Sequence, residues 1–203
     1  MIAPDVVLTA AHCGGGKYKA VIGRDDIYAA STGDEVTKKV EKTHPSYDSK
    51  TTEYDMMLVF LSRATTANVG YVQVNSRSSV PAVGDSVVVM GWGDTIASDD
   101  MMELSQELRA VEVKTISNSV CEASSGRVNG VWDSYNNQIY DAMLCARDDN
   151  QDACQGDSGK LFTRKQFKNI KYAMQLVHSN SLNLLHVNPR WTAGHQGQGK
   201  RWF

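Results

Sequence analysis

Three residues that lie far apart in the chain have the side-chain types that nucleophilic catalysis requires. His12 directly follows an apolar, strand-like run, Asp55 stands at the start of another such run, and Ser158 lies in a loop between two glycines. A serine hydroxyl alone is a poor nucleophile, because it needs an imidazole to take its proton and a carboxylate to orient that imidazole. The chain order His, Asp, Ser is one of the known orders of this constellation. The residues therefore predict acyl-transfer chemistry with a serine nucleophile.

Each of the three residues also has a plainer interpretation. A single histidine after a strand is more often structural than catalytic, and an isolated aspartate is usually a solvated loop carboxylate. A serine beside glycine is common in turns. The catalytic interpretation rests on the neighbouring residues, above all Thr9-Ala10-Ala11-His12-Cys13 and Cys154-Gln155-Gly156-Asp157-Ser158-Gly159.

Short β-strands are predicted to position these side chains. Alternating or β-branched runs lie at residues 5–11, 18–22, 56–61, 69–74, 86–90 and 108–116. Turn signals such as the three glycines at 14–16 separate these runs. One helix is predicted over residues 117–124, with Ser117 or Asn118 as its cap. Many short strands between turns predict an all-β sandwich or a pair of barrels.

Length and composition exclude several classes of protein. The chain has 203 residues, of which 41% are hydrophobic and 22% charged, so it fits one large or two small folded domains. No apolar run approaches the roughly 18–20 residues of a membrane-spanning helix, and we expect no membrane partner. The first residues lack the basic start and apolar stretch of a signal peptide. Either the chain stays inside the cell or its natural start lies upstream of Met1.

The charge of the chain changes sign after residue 159. Residues 1–159 carry 13 Lys and Arg against 23 Asp and Glu, whereas residues 160–203 carry eight basic residues and no acidic one. Such a basic arm could bind nucleic acid, but this one lacks alternating aromatic and basic residues. We therefore expect no nucleic-acid partner and interpret residues 160–203 as a divergent basic tail.

The four cysteines allow three fully paired arrangements, and spacing alone does not choose among them. They are Cys13, Cys121, Cys145 and Cys154. The sequence has no C-x-x-C pair and no cluster of Cys and His, which argues against a zinc site. We expect neither a metal nor another cofactor.

Five motifs in a fixed order resemble the trypsin-like (chymotrypsin-fold) serine endopeptidases over residues 2–159. They are Leu8-Thr9-Ala10-Ala11-His12-Cys13, His44-Pro45-Ser46-Tyr47, Asp55-Met56-Met57-Leu58, Met90-Gly91-Trp92-Gly93 and Cys154-Gln155-Gly156-Asp157-Ser158-Gly159. The resemblance implies an all-β fold of two antiparallel β-barrels with the active site in the cleft between them, the second barrel being incomplete. Residues 1–78 would form an N-terminally truncated first barrel and residues 79–159 part of the second. Residues 160–203 would lie outside the family fold.

The same resemblance implies a role for each site residue. His12 would be the general base, Asp55 its orienting carboxylate and Ser158 the nucleophile. The backbone N–H groups of Gly156 and Ser158 would form the oxyanion hole. Asp152, six residues before the serine, would lie at the base of the specificity pocket and select Lys or Arg before the scissile bond.

The implied function is a secreted serine endopeptidase, made as a zymogen, that cleaves after Lys or Arg through an acyl-enzyme. Its partners would be protein or peptide substrates with Lys or Arg, and protein inhibitors. The resemblance pairs Cys121 with Cys145 but leaves Cys13 and Cys154 without the partners that the family provides. Because nothing after Gly159 resembles the family, a second interpretation stays open. In this interpretation the chain is a catalytically silent homologue, or a truncated or frame-shifted product, that acts as a binding protein.

Overall fold

The computed structural model describes residues 1–93, 103–128, 131–147, 163–164 and 175–176. Its strands are β1 Val6–Thr9, β2 Lys19–Ile22, β3 Asp34–Thr43, β4 Met57–Leu61, β5 Ser86–Gly91, β6 Arg109–Ile116, β7 Ser125–Val128, β8 Val131–Ser134, β9 Cys145–Arg147, β10 Thr163–Arg164 and β11 Gln175–Leu176. In the described part of the chain the only helices are a 3₁₀ turn, Ala11–Cys13, and the short α1, Asn118–Glu122. The predicted all-β class is confirmed. No helix among the described residues is long and apolar enough to cross a membrane.

The first sheet has the order β1-β4-β3-β2-β11, and its strand pairs are antiparallel. Successive side chains of a strand point to opposite faces, and β4 accordingly alternates between buried and partly exposed residues. The buried face packs into one core, which includes Val7, Ile22, Val36, Met57 and Val59. This core anchors the strand ends that carry the candidate site.

The second sheet has the order β10-β5-β6-β9, with Val87, Val89, Val113 and Ala146 in its core. Beside it, β7 and β8 form a separate two-stranded hairpin. The chain beyond residue 159, predicted as a tail, contributes β10 to this sheet and β11 to the first. The predicted domain boundaries at 78/79 and 159/160 remain predictions.

Hydrogen bonds join the loop after β2 to the second sheet. The Asp25 carbonyl accepts the Trp92 indole Nε1–H at 2.7 Å and the Leu108 backbone N–H at 3.0 Å. The Ile27 backbone N–H donates to the Gln106 carbonyl at 3.0 Å. Trp92 is 2% exposed, so its indole N–H needs a partner, and it finds that partner in the other half of the molecule.

The strand predictions differ from the structure in two ways, because one predicted strand is missing and β3, β7, β8 and β9 were not predicted. Residues 69–74, predicted as a strand, belong to no sheet: Val72 donates to the Met1 carbonyl, and Val74 is 63% exposed. Conversely, β3 was not predicted, because its sequence is mostly charged and its side chains are largely exposed. Backbone pairing with β2 and β4 holds β3 in place from both sides.

The helix α1 and the cysteines agree with the sequence predictions. The Ser117 hydroxyl caps α1 by accepting the Val120 backbone N–H. Cys121 in this helix forms a disulfide with Cys145, and their Cα atoms are 6.2 Å apart. This is the pair that the resemblance implied.

Candidate active site

The pairing of β1 with β4 brings the segments that carry His12 and Asp55 together at one end of the first sheet. Thr9 at the end of β1 lies opposite Met57 at the start of β4, and the strands run antiparallel. His12 follows β1 within the 3₁₀ turn, and Asp55 comes two residues before β4. Residues 43 positions apart therefore meet.

The Asp55 carboxylate binds His12 at two points. The Nδ1 atom of the His12 ring lies 2.6 Å from Oδ2, and the His12 backbone N–H donates to Oδ1 at 2.9 Å. Both side chains are largely buried, with 13% and 14% of their surface exposed. Two contacts from one carboxylate fix both the backbone and the ring of His12.

The contacts also determine the protonation of the His12 ring. An ionised carboxylate only accepts hydrogen bonds, so Nδ1 carries a proton and Nε2 is the atom left to exchange one. The bond to Asp55, followed by the contact with Cys13, raises the pKa of His12 from 6.5 to about 10. The Cys13 thiol, which is free in this chain, has its Sγ 3.5 Å from Nε2. The arrangement can hold a proton on His12 and stabilise the resulting cation.

The backbone around the pair is tightly packed. A Cβ atom at Gly14 would lie 3.0 Å from the Ala11 carbonyl oxygen and 3.0 Å from the Met57 sulfur. A side chain at position 14 would therefore require the chain after His12 or the Met57 side chain to shift.

Glu41 anchors the glycine loop that follows. Its carboxylate accepts the Tyr18 hydroxyl at 2.7 Å, the Gly15 backbone N–H at 3.1 Å and the Lys38 ammonium at 3.1 Å. Burial and the bond to Glu41 raise the pKa of Tyr18 above its usual value. Sequence reasoning missed Glu41, because one glutamate in a charged stretch carries no distinguishing signal.

The remaining predicted site residues lie outside the described residues. They are Asp152, Gly156 and Ser158, together with Cys154. Among the residues that the structure describes, no three His, Cys, Asp or Glu side chains gather closely enough to hold a metal ion. The described part of the site is thus a histidine and a carboxylate at one end of the first sheet, available for general acid–base chemistry.

An all-β chain with two antiparallel sheets and such a His–Asp pair has the features of a serine-protease class. The chain belongs to the trypsin family: the family model described as Trypsin matches residues 1–167. This match includes the position of Ser158 and the whole segment over which the sequence motifs were found.

Known relatives agree with this membership. The chain is 33% identical to "Trypsin" of Sarcophaga bullata over 78% of its length and 28% identical to "Serine protease 1" of Homo sapiens over 75%. It spans 60% of the first and 58% of the second. Among solved structures, mouse neuropsin, titled a serine protease expressed in the limbic system, matches with a TM-score of 0.69 and 27% identity. That match covers 81% of this chain and 70% of neuropsin.

Proposed function

We propose that the chain is a serine endopeptidase in which His12 is the general base, Asp55 orients it and Ser158 is the nucleophile. The observation that carries the proposal is the two-point contact of Asp55 with His12, which leaves Nε2 as the proton-exchanging atom. Membership in the trypsin family supports the assignment of Ser158.

In the proposed reaction the Ser158 hydroxyl oxygen attacks the scissile carbonyl carbon while its proton passes to Nε2 of His12. The carbonyl π-electrons move onto oxygen, where the N–H groups of Gly156 and Ser158 would stabilise the negative charge. Loss of one such donor lowers kcat by about 10²–10³-fold in comparable enzymes. Nε2 then returns the proton to the leaving amine as the C–N bond breaks and the acyl-enzyme forms. Water hydrolyses the acyl-enzyme with the same proton exchange.

The finer assignments follow from the resemblance. Asp152 would select substrates with Lys or Arg before the scissile bond, and protein inhibitors of this class would compete with them. The Cys121–Cys145 disulfide supports secretion, since disulfides persist in oxidising compartments. Synthesis as a zymogen is typical of this class. In this proposal residues 1–78 and 79–159 form the two lobes around the substrate.

Fluorophosphonate labelling of the 203-residue chain tests the proposal, with Ser158→Ala as the matched control. The probe reacts with a serine that has a working base and oxyanion hole. We expect stoichiometric labelling of the parent chain and none of Ser158→Ala. A folded parent chain that stays unlabelled would show that the triad does not operate.

A silent homologue that acts as a binding protein is the second candidate, and one observation favours it. The Cys13 Sγ atom lies 3.5 Å from Nε2 of His12, the atom that would take the serine proton, and the bond to Asp55 raises the pKa of His12 to about 10, which disfavours the neutral imidazole at neutral pH. Labelling at several pH values separates the two candidates. An active site with this base labels faster as the pH rises toward about 10, because the neutral imidazole becomes more populated. A silent homologue stays unlabelled throughout.

A further inference from the structure

A stacked pair of rings stands next to Asp55. The rings of His44 and Tyr54 lie nearly parallel, with centroids 5.0 Å apart and an angle of 7° between their planes. Neither residue belongs to the His12–Asp55 pair, and Tyr54 immediately precedes Asp55 in the chain. The stack is therefore joined through the backbone to the residue that carries the carboxylate.

His44 lies at the same end of the first sheet as His12 and Asp55. Thr43, the last residue of β3, lies opposite Met57, the first residue of β4. The His44 backbone N–H donates to the Met56 carbonyl at 2.8 Å, and its ring Nδ1 accepts the Ser46 backbone N–H at 3.2 Å. These two hydrogen bonds thus fix the backbone and the ring of His44 independently of the contact with Tyr54.

The backbone at Tyr54 adopts a conformation that needs such support. Its φ is +52°, in the left-handed region, and Thr52 has a φ of +57°. These are two of the three non-glycine residues with positive φ in the described ranges. The Met56 N–H donates to the Tyr54 carbonyl at 2.6 Å, which closes a tight turn with Asp55 at its centre. Unfavourable backbone conformations persist only where neighbouring contacts impose them, and they cluster at functional sites.

We propose that the His44–Tyr54 stack positions the Asp55 carboxylate on His12, so that both stacked residues are positioning residues of the catalytic pair. The stack holds the left-handed turn, and the turn sets the direction in which the carboxylate leaves the chain. Tyr54 is 39% exposed, so burial of its ring alone does not explain the conformation. The catalytic meaning rests on the proposed protease function, but the effect on His12 can be measured without catalysis.

Two single variants of the 203-residue chain, their combination and one control test the proposal. His44→Ala and Tyr54→Leu each remove the stack, and leucine disfavours positive φ as tyrosine does, so the turn then lacks its support. Tyr54→Phe keeps two facing rings and is the conservative control. The first readout is the pKa of His12 by NMR titration, with His12→Gln to assign its resonance. The second readout is the rate of fluorophosphonate labelling.

We expect the pKa of His12 to fall from about 10 toward 6.5 in His44→Ala and Tyr54→Leu. A fall of one pKa unit is a tenfold change in proton affinity, and we expect at least about that much. Labelling is compared above about pH 10, where the imidazole is largely neutral in every variant, and it should slow there by about 10- to 100-fold, as for a displacement of about 1 Å at a reacting group. Tyr54→Phe should keep the parent values. The double variant His44→Ala/Tyr54→Leu should be no worse than either single variant, because both remove one contact.

The two readouts separate this proposal from the protease function. If the parent chain is never labelled but the pKa of His12 follows the stack, the protease function fails and the positioning role stands. If the pKa of His12 is the same in Tyr54→Leu as in the parent chain, the positioning role is overturned whether or not the chain is active. A folded Tyr54→Phe chain with a lowered His12 pKa would overturn it as well, even where His44→Ala does not fold.

Discussion

Replacing Asp55 with asparagine should break the His12 pair in a defined way. One carboxylate oxygen accepts the His12 backbone N–H at 2.9 Å, and the other lies 2.6 Å from ring Nδ1. An amide has one oxygen and one NH₂ group, so either orientation places a donor against a donor. If the oxygen stays on the backbone N–H, the NH₂ group requires a bare Nδ1, and the ring proton moves to Nε2. The imidazole then cannot take a proton from a serine.

The size of the effect follows from the burial and charge of the pair. We expect the pKa of His12 to fall from about 10 toward 6.5 in Asp55→Asn. A raised pKa stabilises the folded state fully below about pH 6.5 and loses this contribution as the pH rises through about 10. Removing one partner of a largely buried pair costs about 3–5 kcal/mol where both are charged. Above about pH 10 only hydrogen bonds of about 1–2 kcal/mol are at stake.

Urea unfolding of the parent chain and of Asp55→Asn at about pH 6 and about pH 10 measures this difference. The free energies of unfolding should differ strongly at the lower pH and weakly at the higher one. His12→Gln is the control, because it should remove most of the pH dependence in this window. If labelling occurs, Asp55→Asn should slow it by about 10⁴-fold, as the wrong tautomer does in the triad template. A free-energy difference that is constant with pH, or a His12 that still titrates near 10, would refute the assignment of the raised pKa to Asp55.

Three other changes have expected outcomes. Asp34→Ala removes the acceptor of two Arg63 hydrogen bonds at 2.6 and 2.9 Å and of the Thr66 backbone N–H at 2.7 Å, so it should lower the free energy of unfolding near pH 7. Because Arg63 lowers the pKa of Asp34, this difference should shrink as the pH falls below about 4 in urea titrations. Reducing the Cys121–Cys145 disulfide, which closes a loop with a sequence separation of 24, should cost about 3.5 kcal/mol by the chain-entropy relation; equal urea midpoints with and without reductant would contradict it. Trp92→Phe keeps a buried aromatic ring but loses part of the indole and its bond to the first half of the molecule, so thermal unfolding should show a loss of at least about 1–2 kcal/mol, and an unchanged Tm would mean that the bond contributes little.

Local sequence patterns predicted those strands in which apolar side chains are buried on one face. The sequences of β1, β4 and β5 are short runs rich in apolar and β-branched residues, which favour strands, and in the structure these residues alternate between buried and partly exposed. In contrast, β3 is held by backbone ladders on both sides, and its charged side chains give no hydrophobic period. Residues 69–74 have β-branched side chains but no neighbouring strand to pair with, so composition misled there.

The candidate site was likewise predictable from the sequence only in part. His12 and Asp55 could be predicted, because each stands in a short motif whose residues are adjacent in sequence. Their geometry depends on the register of β1 against β4, which no single motif contains. The stack of His44 on Tyr54 also requires β3 to end beside the start of β4, at the same end of the sheet. Contacts between strands depend on the pairing register, which cannot be predicted from the sequence of one segment alone.

The strand register also divides the proposed catalytic machinery between two parts of the chain. His12, Asp55 and the His44–Tyr54 stack all lie at the end of the first sheet where β1 and β3 pair with β4. Ser158 comes after β9 in the sequence and lies outside the described residues. We therefore expect a change at the bonds of the Asp25 carbonyl, which join the two sheets, to alter the labelling rate while leaving the titration of His12 as it is. We expect a change at the end of the first sheet to alter both.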